Sequence, residues 1–391
     1  MNNNKIIISF YARHKQKELT ERLYRAYLAL AQRGYQLHYF SSQPLAVEHP
    51  NIHPHIINVK AQEGSGRFWL SYFFQAIRGA RALSKQQRIE GYVVFSFLYG
   101  ALAALASTKS HEKKWILIRS DDLVSAHNKP TSWFHRFLLK RLEIISIQSA
   151  ERIICTNKYI MERLAKRCAY PQKMAYLPDE IPDSSQPIKP LQKYKPRVWQ
   201  FVTASDLTPE NQQLTVLKAL AALSIKNWHY RIIGTDSENT GYERLLRDFV
   251  FEYHLSKHVE FMGKPQDTPE IIAECDLFIF PSTKEGSATI LLEALATDIP
   301  CIGSNASSVT EILTAPSLIF SPKHTLSLHN LLKHFIRSEA VRTDIIAKTT
   351  ACRQRNEFDW EARLMGMVEG SEDQGSRLAQ SIVTAKYQAK G

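Results

Sequence analysis

The sequence predicts an α/β protein made of two halves, each with its own parallel sheet. Three observations lead there. Short apolar runs of strand length alternate with helical patterns twice along the chain, a proline-rich stretch separates the two alternations, and 391 residues exceed what one ordinary core holds. Apolar content of 44% and charged content of 23% are globular values, which excludes a disordered chain. No run approaches the roughly 20 apolar residues of a transmembrane helix.

The first half opens on a strand over residues 5–10, an apolar run too short for a secretory signal and followed by Tyr11 and Arg13. A helix over 19–33 is closed by Gly34-Tyr35, and a strand returns over 36–40. Further on, Trp69, Tyr72, Phe73, Ala76, Ile77, Ala80 and Leu83 share one helical face, with Arg78, Arg81, Lys85 and Arg88 on the other. That face either lies in a bilayer interface or packs on the sheet, and the pattern supports both equally. Strands over 91–97 and 115–119 bracket a helix over 101–107. Trp133, Phe134, Phe137, Leu138 and Leu142 form a large apolar cluster, expected in the core with docking on a membrane as the alternative. Strand 152–156 and helix 159–166 complete a Rossmann-like alternation. Residues 178–196 hold five prolines and no periodicity, the composition of a linker.

The second half runs strand 198–203, helix 212–223, strand 230–233, helix 241–253 and strand 259–262. Its densest stretch follows, from Asp276 to Ile312. The strand at 277–280 stops at Pro281-Ser282, and a loop carries Glu285-Gly286. A helix over 288–297 then bears Glu293, and the strand at 301–303 ends in Ser304-Asn305. In parallel sheets ligands sit beyond the carboxyl ends of the strands. Glu285, Gly286 and the N–H groups of Ser287 to Thr289 are therefore expected around one anion-friendly pocket.

Charge is uneven. Residues 1–195 hold 30 Lys+Arg and 14 Asp+Glu, a net of +16, while residues 196–391 hold 20 and 24, a net of −4. One half is expected to meet something anionic. No nucleic-acid-binding signature accompanies the charge, so an anionic membrane surface is the expected partner and nucleic acid is not. Five scattered cysteines make neither a disulfide framework nor a metal pattern, which predicts a reducing, cytoplasmic setting.

The stretch from Asp276 resembles the donor-binding signature of retaining glycosyltransferases of the GT-B fold, family four. The matching elements are Pro281-Ser282, Glu285-Gly286, Glu293-Ala294-Leu295-Ala296, Pro300 and Glu311, with seven residues between Glu285 and Glu293. The resemblance is continuous over the second half and looser over the first, where it rests on residues 149–164; residues 357–364 resemble the family's closing helix, which crosses back onto the N-terminal domain. It implies two Rossmann-like domains with a cleft between them. Residues 1–180 would be the acceptor- and membrane-facing domain and 181–197 the linker. Residues 198–356 would bind the nucleotide sugar, and 357–391 would be the returning helix and a tail.

By that resemblance Glu293 takes the ribose diol and Glu285 faces the hydroxyls of the transferred sugar. Gly286 lets the backbone approach closely, and the N–H groups of Ala288 and Thr289 aim at the leaving phosphate. The base would lie against Gly263-Lys264. The sequence also departs from the family. Asp206 stands where a diphosphate-binding Arg is expected, and Asn211 where a Lys is expected. Lys284 and Arg119 are the candidate replacement cations, and Ser120-Asp121 occupies the place of a donor-contacting His. The first loop lacks the family's glycine pair and carries Arg13, His14 and Lys15 instead.

The expected activity is transfer of a sugar from a nucleotide-sugar donor to a lipid-linked or envelope glycan acceptor, with retention of anomeric configuration. The resemblance implies no essential metal or other cofactor, and the chain has no Asp-x-Asp motif. A cytoplasmic protein, peripheral on the inner face of the cell membrane, is expected. The alternative is a degenerate nucleotide-sugar-binding scaffold or partner subunit without activity, motivated by Asp206 and Asn211.

Overall fold

The computed structural model describes residues 5–12, 17–62, 65–118, 133–165, 171–182, 198–237, 239–284 and 288–370. The chain divides into two compact units, Met1–Pro178 with Asp359–Gly391, and Asp179–Phe358.

The first unit carries seven strands: β1 (Ile6–Tyr11), β2 (Gln36–Ser41), β3 (Ile52–Ile56), β4 (Ile89–Phe95), β5 (Lys113–Ile118), β6 (Arg152–Cys155) and β7 (Met174–Tyr176). They lie in the order β3-β2-β1-β4-β5-β6-β7, and every registered pair is parallel. All six residues of β1 are buried, as its run IIISFY requires of a strand covered on both faces. Helix α1 (Lys17–Gln32) closes through Gly34 at φ 83, with Tyr35 N–H donating to the Leu30 carbonyl at 3.1 Å and Gly34 N–H to that of Ala31 at 3.1 Å. These two hydrogen bonds satisfy carbonyls of the last helical turn.

Helix α2 (Gly66–Gln86) starts at Ser65, whose hydroxyl accepts the Phe68 N–H at 3.2 Å. Tyr72, Ala76 and Ala80 are fully buried, and the Tyr72 hydroxyl donates to the Phe40 carbonyl at 2.8 Å. The apolar face that suited a bilayer equally well therefore packs on the sheet. Helix α3 (Phe97–Ala106) begins earlier than the sequence pattern suggested, because β4 ends at Phe95 and Ser96 turns to φ 90. It presses on α4 (Trp133–Ser149) so closely that a Cβ on Gly100 would lie 2.0 Å from the Ser146 hydroxyl oxygen. The expected core role of Phe137 and Leu138 is overturned: α4 buries Glu143, Ser146 and Ile147, and leaves those two exposed. Helix α5 (Lys158–Ala165) follows β6.

The second unit holds β8 (Trp199–Ala204), β9 (Trp228–Ile233), β10 (Val259–Gly263), β11 (Leu277–Phe280), β12 (Cys301–Ser304) and β13 (Ile319–Phe320). Their order is β10-β9-β8-β11-β12-β13, again parallel throughout the registered pairs. The helices are α6 (Gln213–Ala221), α7 (Tyr242–Glu252), α8 (Thr268–Ala273), α9 (Thr289–Ala296), α10 (Ser307–Ile312), α11 (Thr325–Arg337) and α12 (Glu339–Asn356). Arg342, nearly buried, donates to the Phe335 and Ile336 carbonyls at 2.8 and 3.1 Å and so caps α11 from α12. The last described helix, α13 (Trp360–Glu369), belongs to the first unit. It is tied to α1 by Arg25–Glu361 and Arg33–Glu369 pairs, the guanidinium Nη2 of Arg25 reaching a Glu361 carboxylate oxygen at 2.8 Å. Among the described residues no helix is long and apolar enough to cross a membrane.

Candidate functional site

Both sheets reverse direction beside their first strand, and a ligand crevice in such sheets lies at the carboxyl ends of the two strands flanking the reversal. In the second unit these are β8 and β11. The residues leaving them are tied together. Ser282 donates its buried hydroxyl to the Asn211 side-chain oxygen at 2.8 Å, and the Asn211 amide donates to the Asp206 carbonyl at 2.8 Å. Thr283 sends both its N–H and its hydroxyl to the Glu210 carbonyl, at 2.8 and 2.9 Å. On the far side the Ser304 hydroxyl donates to the Ser282 carbonyl, and Lys284 accepts from Ser308 at 3.4 Å. Residues 282–284 after β11 are thus held by the loop after β8, by the end of β12 and by the start of α10.

This knitting explains one departure noted in the sequence. Lysine has donors only, so at position 211 it would leave the Ser282 hydroxyl without its acceptor. Asn211 supplies an acceptor and a donor at once, a structural exchange for the lost cation. Asp206 is exposed beside it.

Next along the edge, Gly234 follows β9 at φ 144, and a Cβ there would lie 1.9 Å from the Ser205 carbonyl oxygen. Only glycine lets the two strand ends approach so closely. Its N–H donates to the Gly263 carbonyl at 2.6 Å, which brings the third strand end into line. Gly263 ends β10 at φ 65, and Lys264 beside it is exposed. Sequence reasoning missed Gly234, although a glycine directly after the apolar run of β9 was the signal. Asp236 accepts from the N–H groups of Thr240 and Gly241 at 2.8 Å each, and these bonds hold its carboxyl below the usual range. Tyr242 accepts the Leu214 N–H at 3.1 Å, and burial pushes its phenol up.

Of the sequence candidates, Ala288 is the N-cap of α9 and offers no side-chain cap bond, and Thr289 is the first helical residue. Glu293 lies mid-helix, half-buried among the buried Leu291, Leu292, Ala294 and Leu295. Lys284 is exposed. Glu285, Gly286, Arg119 and Asp121 lie outside the described residues, as do Ser287, Ser120 and the basic run at 13–15. The described carboxyl edge thus carries Gly263 and Lys264 after β10, the Asn211 clasp after β8, and Lys284, Ala288 and Thr289 after β11. Such an arrangement suits a polyol and an anion: a helix start whose N-cap is an alanine, exposed lysines and short polar side chains.

Elsewhere, Ser84, Lys85, Arg88, Lys109 and His111 line a shallow basic depression at the C-terminal end of α2, at the amino edge of the first sheet. The negative end of the helix accounts for those cations. Among the described residues no group of three or more His, Cys, Asp or Glu is placed to hold a metal ion. Among the described residues Cys155, Cys275, Cys301 and Cys352 are buried and form no disulfide, and burial pushes the Cys275 thiol up to about 12.

Two family models match the chain. Residues 188–351 match the model described as Glycosyl transferases group 1, and residues 20–179 the model described as Glycosyltransferase Family 4. Among curated proteins, N-acetyl-alpha-D-glucosaminyl L-malate synthase of Bacillus anthracis is 37% identical over 68 residues, 17% of this chain and 18% of that protein. The UDP-Gal:alpha-D-GlcNAc-diphosphoundecaprenol alpha-1,3-galactosyltransferase of Escherichia coli is 25% identical over 195 residues, 44% of this chain and 46% of that protein. The matched stretches span less than half the length of either relative. Among solved structures, HepE of Anabaena in complex with UDP superposes with a TM-score of 0.70 at 14% identity, covering 94% of this chain and 100% of that one. That likeness speaks to the fold.

Proposed function

Because the chain belongs to the group 1, family-four glycosyltransferases of the GT-B fold, we propose that it moves a hexosyl group from a nucleotide sugar to an envelope glycan or lipid-linked acceptor. The observation that carries this reading is the knitted carboxyl edge at β8 and β11, which presents Lys284 and the start of α9 inside the stretch matching the group 1 model. Glu293 takes the ribose diol by accepting two hydrogen bonds, and Glu285 orients the transferred sugar. HepE, of the same fold, was solved with UDP. The galactosyltransferase relative is named for an acceptor on diphosphoundecaprenol, which supports a lipid-linked acceptor here.

Transfer proceeds with retention and without a metal. The bond from the anomeric carbon to the phosphate oxygen breaks while the acceptor oxygen bonds to that carbon on the same face. The leaving phosphate oxygen takes the acceptor's proton. Charge building on the phosphate is met by N–H groups at the start of α9 and by lysine. The protein works in the cytoplasm at the inner membrane face, a placement supported by the net +16 of residues 1–195.

A thermal-shift panel of nucleotide sugars on the full chain tests the donor, and transfer of labelled sugar to an undecaprenyl-linked glycan tests the reaction. Stabilisation by one donor, about 2.7 kcal/mol at roughly 100 times its Kd, is expected. No response to any nucleotide sugar overturns the reading. Asp206 and Asn211 favour a second reading, a donor-binding scaffold without activity. Its signature is stabilisation by a donor with neither transfer nor hydrolysis.

A further inference from the structure

Helix α7 turns one face into the core of the second unit, where Tyr242, Leu246 and Val250 are buried at helical spacing. The opposite face is less ordinary. Phe251 is 79% exposed, more than any other large apolar side chain among the described residues, and Leu245 is 45% exposed. At 3.6 residues per turn Leu245, Glu252, Asp248, Arg244 and Phe251 fall inside an arc of about 120°, opposite the buried row. Single exposed apolar residues are common, but two on one face, flanking a row of ordered charge, mark a contact surface.

The order of the charges says what the partner is. Arg244, Asp248 and Glu252 stand one turn apart, the cation first and the anions after it. Arg244 and Asp248 pair at 3.9 Å yet remain 88% and 74% exposed, and Glu252 is exposed as well. Two copies of α7 packed antiparallel about a two-fold axis at Asp248 bring each Arg244 level with the other copy's Glu252. Leu245 and Phe251 are equally far from Asp248 along the chain, so the same axis brings each Leu245 level with the other copy's Phe251. Asp248 falls on the axis and keeps its own Arg244 as counter-charge. A parallel pair would instead set Arg244 against Arg244 and Glu252 against Glu252, which like-charge repulsion disfavours. An anionic bilayer would meet Asp248 and Glu252 between the two apolar residues and be repelled. The face is complementary to itself, as a closed two-fold contact requires.

We propose that two copies of this chain pair through antiparallel α7 helices, with Leu245 and Phe251 covered at the contact and Arg244 and Glu252 setting its direction. One helix per copy is a small interface, so the dimer is weak, with a Kd of about 10 µM. The contact stands apart from the transfer reaction proposed above, since none of these residues belongs to the site.

The test is sedimentation velocity of the full chain from about 1 to about 100 µM. A concentration-dependent equilibrium between monomer and dimer is expected. Leu245→Ser with Phe251→Ser should weaken it by about thirtyfold or more, leaving a monomer across the range. Arg244→Glu alone and Glu252→Arg alone should each weaken it by about tenfold, because each sets like charges level across the axis. Mixed in equal amounts, these two variants should recover the wild-type strength, since both level contacts in the mixed pair again join opposite charges. All replaced side chains are exposed, and unchanged melting curves verify the fold. A monomer at every concentration overturns the proposal. If that monomer sediments with phosphatidylcholine vesicles and the double serine variant does not, the face belongs to lipid. A dimer that the double serine variant retains puts the contact elsewhere and overturns the proposal as well. A mixture no tighter than its components rejects the antiparallel pairing, and the proposal with it.

Discussion

The two sheets repeat one strand order, but their carboxyl edges are built from different material. At β8 and β11, short polar side chains and backbone groups tie neighbouring loops, as in the Ser282–Asn211–Asp206 chain. At β1 and β4 the ties are aromatic: Tyr99 accepts the Ala12 N–H at 2.9 Å and lies 5.8 Å from the Tyr11 ring. The charge differs in the same way, with +16 over residues 1–195 and −4 over the rest. Topology fixes where a ligand enters, and loop chemistry decides which ligand. Among the described residues the second edge is lined by short polar side chains, while the cationic excess belongs to residues 1–195.

The largest expected effect is at Glu293. Glu293→Ala should weaken nucleotide-sugar binding by about 3 kcal/mol, a hundredfold in Kd, by removing two charge-assisted hydrogen bonds. Calorimetry on a folded variant measures it, and unchanged affinity removes Glu293 from the site. Gly234→Ala comes next. Its Cβ would meet the Ser205 carbonyl, so the β8 and β9 ends must part, at about 2 kcal/mol of stability. Donor affinity should fall with it. A variant that melts and binds as the wild type does would show that the edge tolerates separation.

Asn211 sharpens the comparison further. Asn211→Ala should cost about 1 kcal/mol of stability by leaving the buried Ser282 hydroxyl without its acceptor, a loss of a few degrees in Tm. Asn211→Lys should lose the same tie yet bind a nucleoside diphosphate more tightly than Asn211→Ala does. Equal affinity in the two variants would mean that position 211 does not face the phosphates.

Much of this was legible in the sequence, and the gaps have physical reasons. The unit from β11 to β12 could be read because its strands are uninterrupted apolar runs and its loop carries distinctive polar residues. Strand β3 was missed because IHPHI holds a proline and two histidines, tolerable only at a sheet edge, where β3 lies. Helix α12 was missed because its buried positions include Arg342, Thr349 and Asn356, which blur the apolar period. For α2 the periodicity identified an apolar face but not its partner, since a sheet and a bilayer select the same pattern. At the site, the Asn211 clasp was invisible because it joins loops about 70 residues apart, Asn211 to Ser282 being |i−j| = 71. Local spacing carries no trace of such a contact.

The smallest expected effect concerns β2 and β3, where the first unit carries a feature without counterpart among the described strands of the second. His38, His53 and His55 share one face, with ring centres 4.7 Å apart for His38–His53 and 5.2 Å for His38–His55. His38 Nδ1 and His55 Nε2 are 2.9 Å apart, a hydrogen bond that needs one nitrogen bare. Burial, and then the charges of His53 and His55, lower the His38 pKa from 6.5 to about 4, and burial lowers that of His55. In the folded protein His38 therefore stays neutral at a pH where the unfolded chain has already taken up its proton. The sign follows: the stability is fully present above about pH 6.5 and is lost as the pH falls towards 4. Melting the wild type and His38→Gln at about pH 7 and about pH 4.5 separates this contribution from general acid effects common to both. The wild type should lose more Tm across that interval than the glutamine variant, whose side chain takes up no proton. Parallel losses in the two proteins would remove the histidine cluster from the account and leave the first unit's carboxylates to explain any acid sensitivity.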